Sequence, residues 1–352
     1  PDASISRHNP SCSYNADYLQ SVFATIDAFA DYENVLGFFA GNEVINSKNT
    51  TDTATYVKAV VRDMKKYLKA RKYRQIPVGY SAADVSSNRL LAAEYFNCGD
   101  DEDARIDMFG VNDYSWCGRS SFQTSGYSNK MTLYKGYSIP IFLSEFGCNE
   151  VPGSRPFTEI EAIYSTRMSP IFSGGLVYEY SNEDNKYGLV QITSDSNVTK
   201  LDDYQNLKKE YSSVSDPEGD GGYSTSNKYS ECPDYEEGVW EANNTLPVMP
   251  SAASVYFSSG AGAPMGTGVP TQDSCDSDDD EDTESTSDVA STTSTTSDET
   301  SSSAISSTTG SASSNSTSTS GTSSTSASSS KSNDAAGLEI PMIFQGLASI
   351  WN

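Results

Sequence analysis

Histidine is almost missing from this sequence. His8 is the only one in 352 residues, which excludes a histidine-rich metal centre. Basic residues are scarce as well: 23 Lys and Arg stand against 48 Asp and Glu, for a formal net charge of -25. Proteins bind phosphate backbones through Lys and Arg, so this balance argues against a nucleic-acid partner. It suits a soluble extracellular surface that repels its own copies. A Gly-rich phosphate loop is lacking too, which counts against an open, doubly wound nucleotide-binding sheet. The sequence opens at Pro1 with no visible signal peptide.

What is present is unevenly distributed. Residues 276–332 are almost entirely Ser and Thr with acidic clusters. Such a stretch has too little apolar surface to offset the entropy of ordering, so a folded core is expected only in about the first 250 residues. Sequons occur at Asn49, Asn197, Asn243 and Asn315. Beside a Ser/Thr tract they point to secretion and glycosylation.

Apolar residues recur every three or four positions over 15–31 and again over 52–72, which predicts two amphipathic helices. Asp52 is placed to cap the second. Between and after them lie short apolar runs: Val35-Leu-Gly-Phe-Phe-Ala, Ile76-Pro-Val-Gly-Tyr, Ile106-Asp-Met-Phe-Gly-Val, Ile139-Pro-Ile-Phe-Leu and Gly175-Leu-Val-Tyr-Glu-Tyr. Runs of this kind suit strands buried on both faces of a parallel sheet. Strand alternating with helix gives repeated βα units. Several runs end in Asn42-Glu43, Tyr80-Ser81, Asn112-Asp113-Tyr114, Ser144-Glu145 and Tyr178-Glu-Tyr180. Function in a (β/α)8 barrel sits at the C-terminal ends of the strands. Five strands are counted where a barrel needs eight and about 250 residues. The expectation is therefore an α/β chain holding the C-terminal part of a TIM barrel, about strands 4 to 8. On this reading three strands precede Pro1 and the isolated chain exposes sheet edges.

Two segments carry the chemistry, Gly41-Asn42-Glu43-Val44 and Leu143-Ser144-Glu145-Phe146-Gly147. Each sets a Glu at the end of an apolar strand. A retaining glycosidase needs two such carboxyls about 5–5.5 Å apart, one as acid/base and one as nucleophile. Asn42, next to the candidate acid, is placed to hydrogen-bond a sugar 2-hydroxyl. A strand-end Glu is more often a solvated rim residue than a catalyst, so the weight rests on the pair rather than on either member.

The run Asn34-Val-Leu-Gly-Phe-Phe-Ala-Gly-Asn-Glu-Val resembles the acid/base segment of the fungal β-1,3-glucanosyltransferases, glycoside hydrolase family 72 (Gas, Gel and Phr proteins). Ile139-Pro-Ile-Phe-Leu-Ser-Glu-Phe-Gly-Cys-Asn-Glu resembles the nucleophile segment. Further matches are Pro77-Val-Gly-Tyr-Ser, Tyr95-Phe-Asn-Cys-Gly-Asp, Gly110-Val-Asn-Asp-Tyr-Ser-Trp-Cys-Gly and Asn185-Lys-Tyr-Gly-Leu-Val. The similarity runs in order over residues 1–212. It implies Glu43 as acid/base, Glu145 as nucleophile, Asn42, Asn112 and Tyr114 as donor-sugar contacts, and Tyr178 or Tyr180 as a sugar platform. It implies β-1,3-glucan chains as donor and acceptor, a monomer, and no metal or organic cofactor.

The resemblance also implies disulfides Cys117–Cys148 and Cys98–Cys232; Cys12 and Cys275 are left over, their pairing open, with a partner upstream of Pro1 one option for Cys12. Residues 213–275 are expected to pack in part on the barrel, up to Leu246-Pro-Val-Met-Pro. They hold too few cysteines for the glucan-binding module some members carry. Residues 276–332 read as a Ser/Thr-rich stalk. Residues 333–352 resemble the start of a GPI-attachment signal, which would place the protein on the outer face of the plasma membrane and in the cell wall. A plain β-1,3-glucan hydrolase and a non-catalytic wall mannoprotein remain the alternatives.

Overall fold

The computed structural model describes residues 5–193 and 197–263. Cys275, Asn315, the Ser/Thr-rich stretch and the C-terminal stretch lie outside the described residues. The element order is α1 (Pro10–Ser13), α2 (Ala16–Phe29), β1 (Phe38–Asn42), α3 (Thr53–Ala70), β2 (Val78–Ala83), α4 (Arg89–Phe96), β3 (Met108–Cys117), α5 (Tyr127–Leu133), β4 (Ile141–Cys148), α6 (Glu159–Ile163) and β5 (Phe172–Val177). After these come β6 (Val190–Ile192), β7 (Val198–Lys200), α7 (Asp202–Tyr211) and α8 (Tyr256–Ser259).

The five long strands form one sheet in the order β1-β2-β3-β4-β5, and every neighbouring pair is parallel. Sequence order equals spatial order, with none of the reversal that defines a doubly wound sheet. The strands form around the predicted apolar runs, but β3 and β4 extend past theirs to Cys117 and Cys148, so Asn112, Tyr114 and Glu145 lie within strands rather than at their ends, and the fifth is shifted. The last is Phe172–Val177, so Tyr178 and Tyr180 follow the strand rather than ending it. The run Phe-Ser-Gly-Gly before Leu176 carries fewer large apolar residues, which hides the strand's true start.

Both predicted helices form. Asn15 begins α2 by accepting a hydrogen bond from the Tyr18 backbone N–H. Asp52 does not cap α3 as expected. Its backbone is already helical and its side chain makes no capping bond. A short 3-10 turn at Lys48–Thr50 leads into the helix instead, closed by a reciprocal Ser47–Thr50 capping box. Buried Val57, Val60, Val61, Met64 and Leu68 form the apolar stripe of α3 and join one core with Phe23, Val78, Tyr80 and Phe96.

The segment after α7 packs farther than the sequence suggests. Trp240 and Ala242 are buried. Phe257 meets Phe23 and Tyr67 edge to face, with ring centroids 5.6 Å away in both cases. Packing continues beyond Leu246 to Ala261, whose N–H donates to Asp27 at 2.9 Å. Pro and Gly interrupt this segment so often that no periodicity signals its buried positions. No described helix is long and apolar enough to cross a membrane.

Two disulfides fix the frame. Cys98–Cys232 joins the end of α4 to the post-sheet segment, and Cys117–Cys148 joins the ends of β3 and β4. Cys12 is disulfide-bonded as well.

Candidate active site

The C-terminal ends of β1 to β4 converge on two carboxylates. Glu43 directly follows β1, and its N–H donates to the Ser81 carbonyl at 2.8 Å. Its φ of 51° is left-handed, a conformation that costs a non-glycine residue about 1–3 kcal/mol. Glu145 lies within β4, and the sheet register sets it beside Asn112 of β3.

Asn112 is the hub. It is 3 % exposed. Its Nδ2 donates to Glu43 Oε1 at 2.9 Å and to Asn42 Oδ1 at 3.1 Å. Its Oδ1 accepts from Ser81 Oγ at 2.9 Å and from Ser144 Oγ at 2.7 Å. Two hydroxyls on the oxygen orient the amide so that its NH2 faces the Glu43 carboxylate. Gly110 makes room for this cluster: a Cβ there would lie 2.5 Å from Ser144 Oγ.

Glu145 Oε2 accepts a hydrogen bond from the Tyr114 hydroxyl at 2.6 Å. Burial raises the Glu145 pKa above the usual carboxylate range. The Tyr114 hydrogen bond lowers it, the Glu43 charge raises it, and an Asn112 hydrogen bond lowers it. The two carboxylates are therefore close enough to sense each other, with the Asn112 amide beside both. Burial and the negative charge of Glu145 push the Tyr114 phenol far up, which keeps it a hydrogen-bond donor across the physiological range.

Three rings stand beside Glu145. Tyr114 meets Tyr178 and Tyr187 at centroid distances of 6.3 and 5.6 Å, and Tyr178 meets Tyr187 at 5.3 Å. Tyr178 is the ring that joins the site. Tyr180 is 54 % exposed and lies beyond the cluster. Sequence reasoning gives Tyr187 no role, although the Asn185-Lys-Tyr-Gly-Leu-Val match contains it. Arg155 carries no local mark, and Ser81 and Ser144, which end apolar runs, give no sign in the sequence that they meet at Asn112. Arg7 is another such residue: its guanidinium donates to the Glu43 carbonyl at 2.6 Å and the Val44 carbonyl at 3.1 Å, pinning the turn after the candidate acid.

Behind the site, buried Lys130 pairs with Asp84 at 2.8 Å and with Asp113. These ion pairs fix the back of β3 and lie apart from the carboxylates. Asn49, Asn197 and Asn243 are exposed. Among the described residues no cluster of three His, Cys, Asp or Glu could hold a metal ion.

The arrangement brings together two carboxylates, a phenol donating to one, an amide donating to the other, and an aromatic wall. Comparison with known proteins shows the family of the chain. The family described as Glucanosyltransferase, glycoside hydrolase family 72, matches residues 1–215. The chain belongs to this family. It is 80 % identical over 276 residues to the 1,3-beta-glucanosyltransferase GAS5 of Saccharomyces cerevisiae, covering 78 % of this chain and 57 % of that protein. It is 54 % identical over 268 residues to the 1,3-beta-glucanosyltransferase PGA4 of Candida albicans, covering 76 % of this chain and 58 % of that one. A mutant of Saccharomyces cerevisiae Gas2p solved with laminaritetraose and laminaripentaose superposes with a TM-score of 0.65 at 44 % identity, over 71 % of this chain and 55 % of that structure. This glycoside hydrolase family 72 chain thus spans less than two thirds of the length of these relatives.

Proposed function

We propose that the protein containing this chain is a retaining β-1,3-glucanosyltransferase that cleaves internal β-1,3-glucan bonds and passes the new reducing end to the non-reducing end of another glucan. The observation that carries this reading is the Glu43–Asn112–Glu145 arrangement with Tyr114 on Glu145. Glu43 accepts from Asn112 through Oε1, which leaves Oε2 to carry the proton given to the leaving oxygen. Glu145 attacks the anomeric carbon, and Tyr114 releases its hold on the carboxylate as charge leaves it. Glu43 then removes a proton from the incoming sugar hydroxyl, which resolves the glycosyl-enzyme with retention. Asn42 and Asn112 contact the donor sugar, and Tyr178 offers a ring face to glucose C–H surfaces.

The fold supports the same reading. The five sequential parallel strands are taken as about strands 4 to 8 of a (β/α)8 barrel. Phe39 of β1 and Leu176 of β5, at the two edges of the sheet, are each 43 % exposed, as expected where further strands of the intact protein would cover them. Membership of the family favours an extracellular, glycosylated, monomeric protein held at the plasma membrane and cell wall by a GPI anchor. An intact mature C-terminus at Asn352 without lipid would contradict the anchor. The activity is tested by sizing the products formed from a β-1,3-gluco-oligosaccharide by the intact protein. Longer products together with shorter ones support transfer, and shorter products alone make it a hydrolase.

A further inference from the structure

One buried cation outside the carboxylate site braces the aromatic wall from behind. Arg155 lies in the loop between β4 and α6 and is 2 % exposed. Its Nε donates to Asp203 Oδ2 of α7 at 2.6 Å, and its own N–H donates to Asp203 Oδ1 at 3.0 Å. Nη1 donates to the Gly147 carbonyl at 3.0 Å and to the Tyr178 carbonyl at 2.7 Å. Nη2 donates to the Tyr187 carbonyl. The guanidinium also lies 4.8 Å from the Phe157 ring centroid and 5.6 Å from that of Tyr187. Gly147, at φ +109°, admits this approach, since a Cβ there would lie 3.2 Å from Nη1.

A single planar fork thus joins three backbone points: Gly147, just past Glu145, the residue bearing the Tyr178 ring, and the residue bearing the Tyr187 ring. Gly147 lies on a different segment from Tyr178 and Tyr187, and one guanidinium bonds to all three. Asp203 keeps the fork's charge compensated and its plane fixed. Lysine presents a point charge and cannot hold several carbonyls in one plane.

We propose that Arg155, oriented by Asp203, is a positioning residue that sets the Tyr178–Tyr187 ring pair against Tyr114, and through it governs affinity for the glucan chain rather than the bond-breaking step. This rests on the reading of Tyr178 as a sugar platform beside Glu145. Tyr114 keeps its own strand and its bond to Glu145, so the proton chemistry of the nucleophile is left in place when the fork is lost.

The test compares Arg155→Lys and Asp203→Asn with the parent in the intact protein, using a reduced β-1,3-gluco-oligosaccharide, and follows KM, kcat, the acidic limb of the pH profile and thermal melting. The expected result is a KM about tenfold higher in both variants, with kcat within about threefold and the acidic limb unmoved. A purely structural role lowers the folded fraction, and so kcat, while KM stays at the parental value. A parental KM in folded Arg155→Lys overturns the inference. Should Arg155→Lys fail to fold, the isosteric Asp203→Asn decides by the same criterion. Glu145→Gln, run alongside, separates the two levels: full activity there sinks the underlying reading of the site, whatever Arg155 does.

Discussion

At the scale of single residues, the Glu145 carboxyl sits between opposing influences. Burial and the Glu43 charge raise its pKa, and the Tyr114 hydroxyl lowers it. Removing the hydroxyl in Tyr114→Phe should therefore move the acidic limb of activity to higher pH, because the nucleophile must be ionised. It should also cost about tenfold to a hundredfold in kcat/KM, the range expected for a hydrogen bond to a charged group. The opposite shift is expected in Glu43→Gln. There the like charge is gone, and the acidic limb, read with an activated donor whose departure needs no acid, should fall to lower pH. Glu43, Glu145, Asn112 and Tyr114 were legible in the sequence because each follows or ends an apolar run. The parts that Ser81, Ser144 and Tyr187 play were not. Their roles come from what the fold sets opposite them, and a serine or tyrosine has no local pattern that announces such a partner.

At the scale of elements, the site depends on close approach between β3 and β4. Gly110→Ala would drive a methyl group onto Ser144, whose Cβ lies 2.7 Å from the position a Cβ would take. A loss of about 1–3 kcal/mol is expected from such overpacking, visible as a lower melting temperature together with lost activity as Asn112 is displaced. Helix α6 adds a pH-dependent contribution. Burial raises Glu159 at its first turn from 4.5 to about 7. The folded state then holds a proton that the unfolded chain releases. The stability linked to this group is complete below about pH 4.5 and is lost as pH rises through 7. Glu159→Gln should flatten the fall in melting temperature across that window, and an unchanged slope would remove Glu159 from the account. Strand and helix positions were readable from periodicity. The end of the fifth strand was not, since Tyr178-Glu-Tyr180 looks like strand but follows the bend after Val177.

At the scale of the whole molecule, the post-sheet segment belongs to the fold. Cys98–Cys232 closes a separation of 134 residues. Removing it with a Cys98→Ser, Cys232→Ser pair should lower stability by about 2–5 kcal/mol and loosen Trp240 from its place against Tyr95, where the ring centroids are 5.5 Å apart. Intrinsic tryptophan fluorescence would report that loosening. The cysteine pairing followed from family resemblance, whereas the reach of the packing to Ala261 left no trace in the composition. The measurement that tests the central claim most directly is product sizing with the intact protein and a reduced β-1,3-gluco-oligosaccharide, beside Glu43→Gln and Glu145→Gln. Products both longer and shorter than the substrate, lost in both variants, are the predicted result. Wild-type product patterns from either folded variant would contradict it.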